Sequence, residues 1–430
     1  MSPPLKIAIA GLGTVGAATV GLIQGHRSLL AARCGREIVI SAVSARDRKR
    51  DRGLDLGGID WEDDPLALAG RQDIDAVVEL IGGADGIAKE LVEASLSQGR
   101  HVVTANKALI AHHGTALARL AEDKGVSLCY EAAVAGGIPI VKALREGLAG
   151  NAISRVYGIL NGTCNYILTI MRESGREFDD VLAEAQALGY AEADPGFDID
   201  GVDAAHKLAI LTALAFGTEV NFDAVHIEGI RGVTADDIRF AEELGYRIKL
   251  LGIASRAEHG IEQRVHPCLV ARTAPIAHVE DVYNAVVAEG DQVGTTVYQG
   301  RGAGGGPTAS AVAADILDIA RGDHVPTFAV PAGRLAPSDP APMERHFGAF
   351  YICLTVRDQP GVMAEITATF RDEAISLESM LQRGRAPGEP VPVVLITHET
   401  EEAAMGRALS YISGLETMVA PPRMIRIESL

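Results

Sequence analysis

The sequence predicts an α/β protein in three parts: a doubly wound parallel-sheet domain, a middle α+β domain, and a small C-terminal βαββαβ unit. Three observations carry this. A glycine-rich turn separates a strand-like run from a helical one near the N-terminus. An acidic loop runs into a helix that carries a charged pair on its apolar stripe at residues 186–214. A proline-rich stretch at 326–347 precedes a last run of alternating strand and helix patterns.

In the first part, Lys6–Ala10 reads as a short buried strand, Gly11-Leu12-Gly13-Thr14-Val15-Gly16 as a turn and Ala17–Leu30 as a helix. A GxGxxG alone is weak. Between a strand and a helix it fits the Rossmann-type dinucleotide-binding domain, where backbone N–H groups approach a pyrophosphate at the helix N-terminus. The second strand, Glu37–Val43, ends without the acidic residue that commonly holds the ribose of NAD. It runs instead into Ser44-Ala45-Arg46-Asp47-Arg48-Lys49-Arg50. That basic cluster suits a 2′-phosphate, so NADP(H) is preferred, while Asp47 keeps NAD(H) open. Asp75–Ile81 and His101–Thr104 read as further strands. Lys107 follows a strand end, where open α/β sheets place ligands.

Composition narrows the partners. With 430 residues the chain has room for two or three domains. Aromatics at 4% and a net charge of −18 argue against a nucleic-acid surface, yet allow a local basic pocket. The five cysteines, Cys34, Cys129, Cys164, Cys268 and Cys353, are scattered and never in C-x-x-C spacing. They predict reduced thiols in the cytoplasm, with neither a disulfide framework nor zinc. Met1–Pro4 leads directly into a strand-like run, which predicts no signal peptide, and no uncharged apolar run is long enough to span a membrane.

The middle part holds the chemistry. Asp203–Leu214 reads as a helix with Leu208, Ile210, Leu211 and Leu214 on one stripe, and His206 and Thr212 well away from it. Asp203 and Lys207 fall on that stripe one turn apart. A charged pair there is either a helix-surface ion pair or a working pair, since burying one is costly. Before the helix stand Glu192, Asp194, Asp198 and Asp200, in a loop with Pro195, Gly196 and Gly201. Their spacing does not match an EF-hand. Carboxylates facing a lysine suit holding a substrate ammonium while the lysine handles a proton, with desolvation lowering its pKa toward neutrality. Asn161–Tyr166 is a polar turn into a helix. The second glycine-rich turn, Gly300–Thr308, is either a cofactor contact or a flexible connector leading to a helix at Ala309–Arg321. His324–Phe347 holds five prolines and reads as a linker. The strands and helices beyond it follow the ferredoxin-like order.

Taken together, GLGTVG at Gly11, HVVTANKALI at His101, EAAVAGGIPI at Glu131, NGTCNYIL at Asn161, the long GYAEADPGFDIDGVDAAHKLA run and GAGGGPTAS at Gly302 resemble homoserine dehydrogenase over nearly the whole chain. The tail from about 348 resembles an ACT domain, with Asp358-Gln359-Pro360-Gly361-Val362 at its first turn. The resemblance implies reversible reduction of aspartate 4-semialdehyde to homoserine with NAD(P)H, on the route to threonine, isoleucine and methionine. It implies that Lys207 exchanges the proton with the substrate oxygen, that Lys107 flanks that oxygen and that Asp203 orients Lys207 and the substrate. Glu192 and Asp198 would bind the substrate ammonium, with Tyr190 in the substrate set. The implied cofactor set is Gly11, Leu12, Gly13, Thr14, Val15, Gly16, Arg46, Thr104, Lys107, Gly189, Gly302 and Gly304. Glu131, with the carbonyls of Val134, Gly136 and Ile138, resembles the family's monovalent-cation site, usually sodium. Ile87 replaces a proline that many relatives carry. The implied domains are 1–135 (completed by about 303–325) for the dinucleotide, 136–302 for catalysis, a linker at 326–347 and an ACT unit at 348–430. An amino-acid effector, threonine first, and a homodimer or homotetramer follow from the ACT resemblance. Against these stand a dehydrogenase for another amino-acid aldehyde, and an ACT sensor fused to an inactive dehydrogenase. Intact Lys107, Asp203 and Lys207 argue against the second.

Overall fold

The computed structural model describes residues 3–383 and 387–430; Met1 and Ser2, part of the signal-peptide expectation, lie outside. The first sheet is parallel and has six strands: β1 (Leu5–Ala10), β2 (Ile38–Ser44), β3 (Asp60–Glu62), β4 (Ala76–Glu79), β5 (His101–Thr104) and β6 (Leu128–Cys129). Their order is β3-β2-β1-β4-β5-β6. Ile7, Ala8, Ile9 and Ala10 are all fully buried, as a parallel strand covered on both faces requires. The order reverses between β1 and β4, and the crevice at such a switch point is where these sheets bind dinucleotides. One helix was expected at Ala17–Leu30, but two are found, Thr14–Gly25 and Arg27–Cys34. Gly25 ends the first, and the N–H of His26, outside helical backbone, caps it on the Leu22 carbonyl.

The second sheet is mixed. It contains β7 (Ile153–Ile159), β8 (His226–Ile227), β9 (Tyr246–Ala257), β10 (Gly260–Ala271), β11 (Tyr283–Gly290), β12 (Gly294–Arg301), β13 (Phe347–Arg357), β14 (Leu377–Gln382), β15 (Pro390–Thr397), β16 (Thr400–Glu401) and β17 (Arg423–Glu428). Its main path is β12-β11-β7-β9-β10-β17-β13-β15-β14. The last four places belong to the ferredoxin-like unit, and the parallel pairing of β10 with β17 makes one sheet of the two regions.

The sheet departs from the expectation of a tail set apart by a linker. The stretch 326–347 is packed: Phe328 and Ala332 are buried in the middle region's core, and Ala336 and Pro340 bridge to Thr218 and Ile261. Prolines end regular structure there without preventing isolated apolar side chains from packing. The lysine helix also differs from its expected one-sided stripe. It spans Val202–Phe216, and His206 and Thr212 are as buried as the leucines. The helix packs between β7, β9 and β10 on one side and the helix Lys107–Lys124 on the other, so all its faces are covered.

Candidate active site

The glycine turn brings backbone into close contact. A Cβ at Gly16 would lie 1.9 Å from the Gly11 carbonyl oxygen, and one at Gly11 would lie 2.4 Å from that of Leu80. No side chain fits between the turn and β4, so the helix N-terminus stays open for a phosphate. Two cavities flank this turn. One, of about 410 Å³, is lined by Gly11, Leu12, Gly13, Arg46, Asp47, Arg50, Arg52 and Asp63. Arg52 is already engaged: Nε donates to the Leu12 carbonyl at 3.0 Å and Nη2 to that of Asp47 at 2.7 Å. It ties the basic loop to the glycine turn, a contact that residue type and spacing do not reveal.

The second cavity, about 560 Å³, lies between the two glycine-rich turns. Val15, Lys107, Gly136, Gly189, Tyr190, Asp198, Asp203, Lys207, Gly302 and Gly304 line it. Side chains from three separate stretches of the chain meet there. Lys207 Nζ donates to Asp203 Oδ2 at 2.7 Å and to the Leu160 carbonyl at 2.6 Å. Lys107 Nζ stands 2.9 Å from Asp203 Oδ1. Asn161 Nδ2 donates to Asp198 Oδ1 and to Asp203 Oδ2, both at 2.8 Å. An ammonium carries three N–H donors, so Lys207 keeps one beyond its two protein bonds. The i,i+4 pair is therefore buried and shared, not a surface ion pair.

Burial alone would raise the Asp203 carboxyl, but the Lys207 and Lys107 ammonium groups outweigh it and hold it far below the usual range. Burial opposes the charge on Lys107, yet Asp203, Asp198 and Glu192 raise its pKa overall. At Lys107 the neighbouring carboxylates together outweigh desolvation, the largest single influence. Asp198 is raised, by burial and by Asp203.

The remaining site residues divide. Glu192 is exposed and outside the cavity lining, and reaches Lys107 only through its field. Thr104 is buried behind the wall, donating to Glu79 Oε2 at 2.5 Å. Thr14 and Gly16 belong to the turn without lining either cavity. Asn161 was missed as a site residue. Its one sequence signal was that of an N-cap, and it does cap the helix Gly162–Ser174 on Cys164 N at 2.8 Å. Its carboxylate partners lie too far along the chain for spacing to reveal.

Glu131 lies in a short 3₁₀ turn, Glu131–Ala133, within what was expected to be loop. Its carboxylate is 2% exposed and accepts Val141 N at 3.0 Å and Lys142 N at 2.8 Å. Burial and Asp315 push its pKa up to about 7. The pair is acidic and buried, but Lys142 Nζ already stands 3.6 Å from Asp315 Oδ1, so a cation at Glu131 would share the pair with that ammonium. The carbonyls of Val134, Gly136 and Ile138 would complete the set.

Comparison with known proteins agrees with this geometry. Three family profiles match: "Homoserine dehydrogenase, NAD binding domain" over residues 11–131, "Homoserine dehydrogenase" over 139–317 and "ACT domain" over 351–413. The chain is 46% identical to the homoserine dehydrogenase of Neisseria gonorrhoeae over 433 residues, covering 99% of each chain. It is 45% identical to that of Pseudomonas aeruginosa over 434 residues, again 99% of each. A crystal structure of a homoserine dehydrogenase from Thiobacillus denitrificans is similar at TM-score 0.94 and 47% identity, covering 99% of this chain and 98% of that one. A hyperthermophilic archaeal homoserine dehydrogenase in complex with NADPH matches at TM-score 0.63 and 29% identity, covering 73% of this chain and 97% of that one. The chain belongs to the homoserine dehydrogenase family, as an NAD(P)-dependent oxidoreductase with a C-terminal ACT domain.

Proposed function

We propose that the chain reduces L-aspartate 4-semialdehyde to L-homoserine, reversibly and with NADP(H) preferred over NAD(H). The observation that carries this is the single buried carboxylate of Asp203 shared by Lys107 and Lys207 in a cavity between two glycine-rich turns. The bound reduced nicotinamide supplies hydride to the aldehyde carbon. As the aldehyde oxygen gains charge, the two ammonium groups stabilise it, and Lys207 gives up the N–H not engaged by Leu160 or Asp203. Asp203 binds both lysines and aims them. Asp198, held by Asn161, takes the substrate ammonium, with Glu192 adding field from the rim.

NADP preference is supported by Arg46 and Arg50 beside the glycine turn, since Arg52 is engaged by backbone carbonyls. A sodium ion at Glu131, Val134, Gly136 and Ile138 would brace the loop that forms one cavity wall. The catalytic region is taken as 136–302, the dinucleotide domain as 1–135 with about 303–325, and the regulatory unit as 348–430. A hollow of about 410 Å³ at the turn Asp358–Val362 supports an amino-acid effector, threonine first. Edge strand β12, with Val297 exposed, supports a homodimer or homotetramer. No described helix is long and apolar enough to cross a membrane, and five free cysteines support a cytoplasmic setting. The deciding experiment is loss of the NADPH absorbance band on adding aspartate 4-semialdehyde. A chain that binds NADPH yet leaves the band unchanged would sink the reading.

A further inference from the structure

Phe197 lies in the short helix Gly196–Ile199, directly before Asp198. It is 44% exposed, so core packing does not account for a ring at that place. Asp198 and Lys107 line the 560 Å³ cavity, and Phe197 itself does not. The ring instead takes Lys107 Nζ over its face, 5.4 Å from the centroid. At that distance an ammonium is attracted by the negative face of an aromatic ring. The same ring meets His206, with centroids 5.5 Å apart and planes at 35°. His206 is buried and stacked on Phe222, so Phe197 rests on a fixed partner.

The two lysines of the site are held unequally. Lys207 has two acceptors, Asp203 and the Leu160 carbonyl, and its side chain is 10% exposed. Lys107 has one among the described residues, Asp203 Oδ1 at 2.9 Å, and its side chain is 34% exposed. A long flexible stem with a single acceptor keeps much of its rotamer freedom. Lys107 also reaches across a boundary. It begins the helix Lys107–Lys124 beside the first sheet, whereas Asp203 and Phe197 belong to the middle region. The ring gives Lys107 a second restraint from that region. Leucine or methionine would cover the same stem, but only an aromatic face attracts the charge.

We infer that Phe197 is a positioning residue for the reduction, whose ring face holds the Lys107 ammonium against Asp203 and so beside the substrate oxygen. This rests on the proposed reading that Lys107 flanks that oxygen. Phe197 acts through Lys107 alone, since it stands outside the cavity lining. A lysine already in place loses no freedom as charge develops on the oxygen, which is what a preorganised site contributes to the rate.

The test uses the full chain with Phe197→Leu, Phe197→Tyr and Phe197→Trp, each also placed in a Lys107→Ala background. Leucine keeps an apolar side chain and removes the aromatic face; tyrosine and tryptophan keep the face. Single-turnover loss of NADPH absorbance with aspartate 4-semialdehyde reads the chemical step, and fluorescence titration reads NADPH affinity. Phe197→Leu should slow the step roughly 3–30-fold with NADPH affinity unchanged. Phe197→Tyr and Phe197→Trp should recover most of that loss, so that rate follows the ring and not side-chain volume. In Lys107→Ala, adding Phe197→Leu should cost nothing further, because the two residues act as one unit. A wild-type rate in Phe197→Leu, an equal loss in all three variants, or the same fold-loss with Lys107 absent would each overturn the inference. If Lys107→Ala alone kept the wild-type rate, the reading of Lys107 would fail first and take this inference with it, and that single variant tells the two failures apart.

Discussion

Lys207 combines two engaged donors with one that faces the cavity, and this sets what its removal should do. Lys207→Ala should lower turnover roughly 10²–10⁴-fold with NADPH affinity little changed. Single-turnover absorbance and fluorescence titration separate the two, and near-normal turnover would give the proton to another group. His206, next to it on the helix, has no such donor role. It is 4% exposed, lies 3.2 Å from His112 Nε2 and stacks on Phe222. Burial, then His112, lower its pKa to about 4, with Lys107 and Lys207 also opposing its charge and Asp203 favouring it. Between pH 6.5 and 4 the unfolded chain binds a proton that the folded chain refuses, so stability falls as pH drops through that window and is flat above it. His206→Gln keeps a polar side chain without titrating. Its loss of stability from pH 7 to pH 5 should be smaller than the wild type's by about 2 kcal/mol, read from denaturant unfolding at both values. Equal pH dependence would remove His206 from the account. The Asp203–Lys207 pair was legible because i,i+4 spacing is local. Its sharing with Lys107 was not, since that contact joins two domains.

Elements were legible where the pattern was local and strong. The glycine turn between β1 and its helix, the strand His101–Thr104, the helix Val362–Asp372 and the strand Arg423–Glu428 needed only periodicity and punctuation. The lysine helix was misread as one-sided because its small residues, Ala204, Ala205, Ala209 and Ala213, carry little apolar signal yet allow close packing all round. The basic loop after β2 was read by charge, and the fold assigns its members different tasks. Arg52 fastens the loop to the glycine turn, while Arg46 lines the cavity beside that turn. Arg46→Ala should therefore weaken NADPH by roughly 10–100-fold and NADH far less, since a charge-assisted contact serves only the 2′-phosphate. Titration with both cofactors checks this. Equal weakening, or a wild-type preference for NADH, would end the NADP reading.

At the scale of the whole molecule, the pairing of β10 with β17 joins the ACT unit to the middle region, with buried charge beside it. Arg426, on β17, is 2% exposed and binds both Glu228 oxygens at 2.9 Å and Glu402 Oε2 at 2.9 Å. Just beyond Glu228, Ile230 N donates to the Ile199 carbonyl at 2.9 Å, and Arg231 Nη2 to Asp200 Oδ2 at 3.0 Å. Gly229 lets this segment approach, since a Cβ there would lie 2.3 Å from the Ile199 carbonyl oxygen. A chain of contacts thus runs from β17 to the Asp198–Asp203 segment. The sequence could not show this, because proline content made the tail look detached. Removing the tail would expose the edge of β10, and Arg426→Ala would strip Glu402 of its buried partner while Glu228, partly exposed, keeps His226 at 2.7 Å. Arg231, about half exposed, is the cleaner probe. If the ACT unit senses threonine, millimolar threonine should inhibit the full chain, with a coupling of about 1–3 kcal/mol. Arg231→Ala should reduce that inhibition while leaving threonine binding, measured calorimetrically without substrate, near the wild-type value. Unchanged inhibition in Arg231→Ala would rule out this route. A full chain indifferent to threonine, methionine, isoleucine and lysine would leave the unit with a structural role.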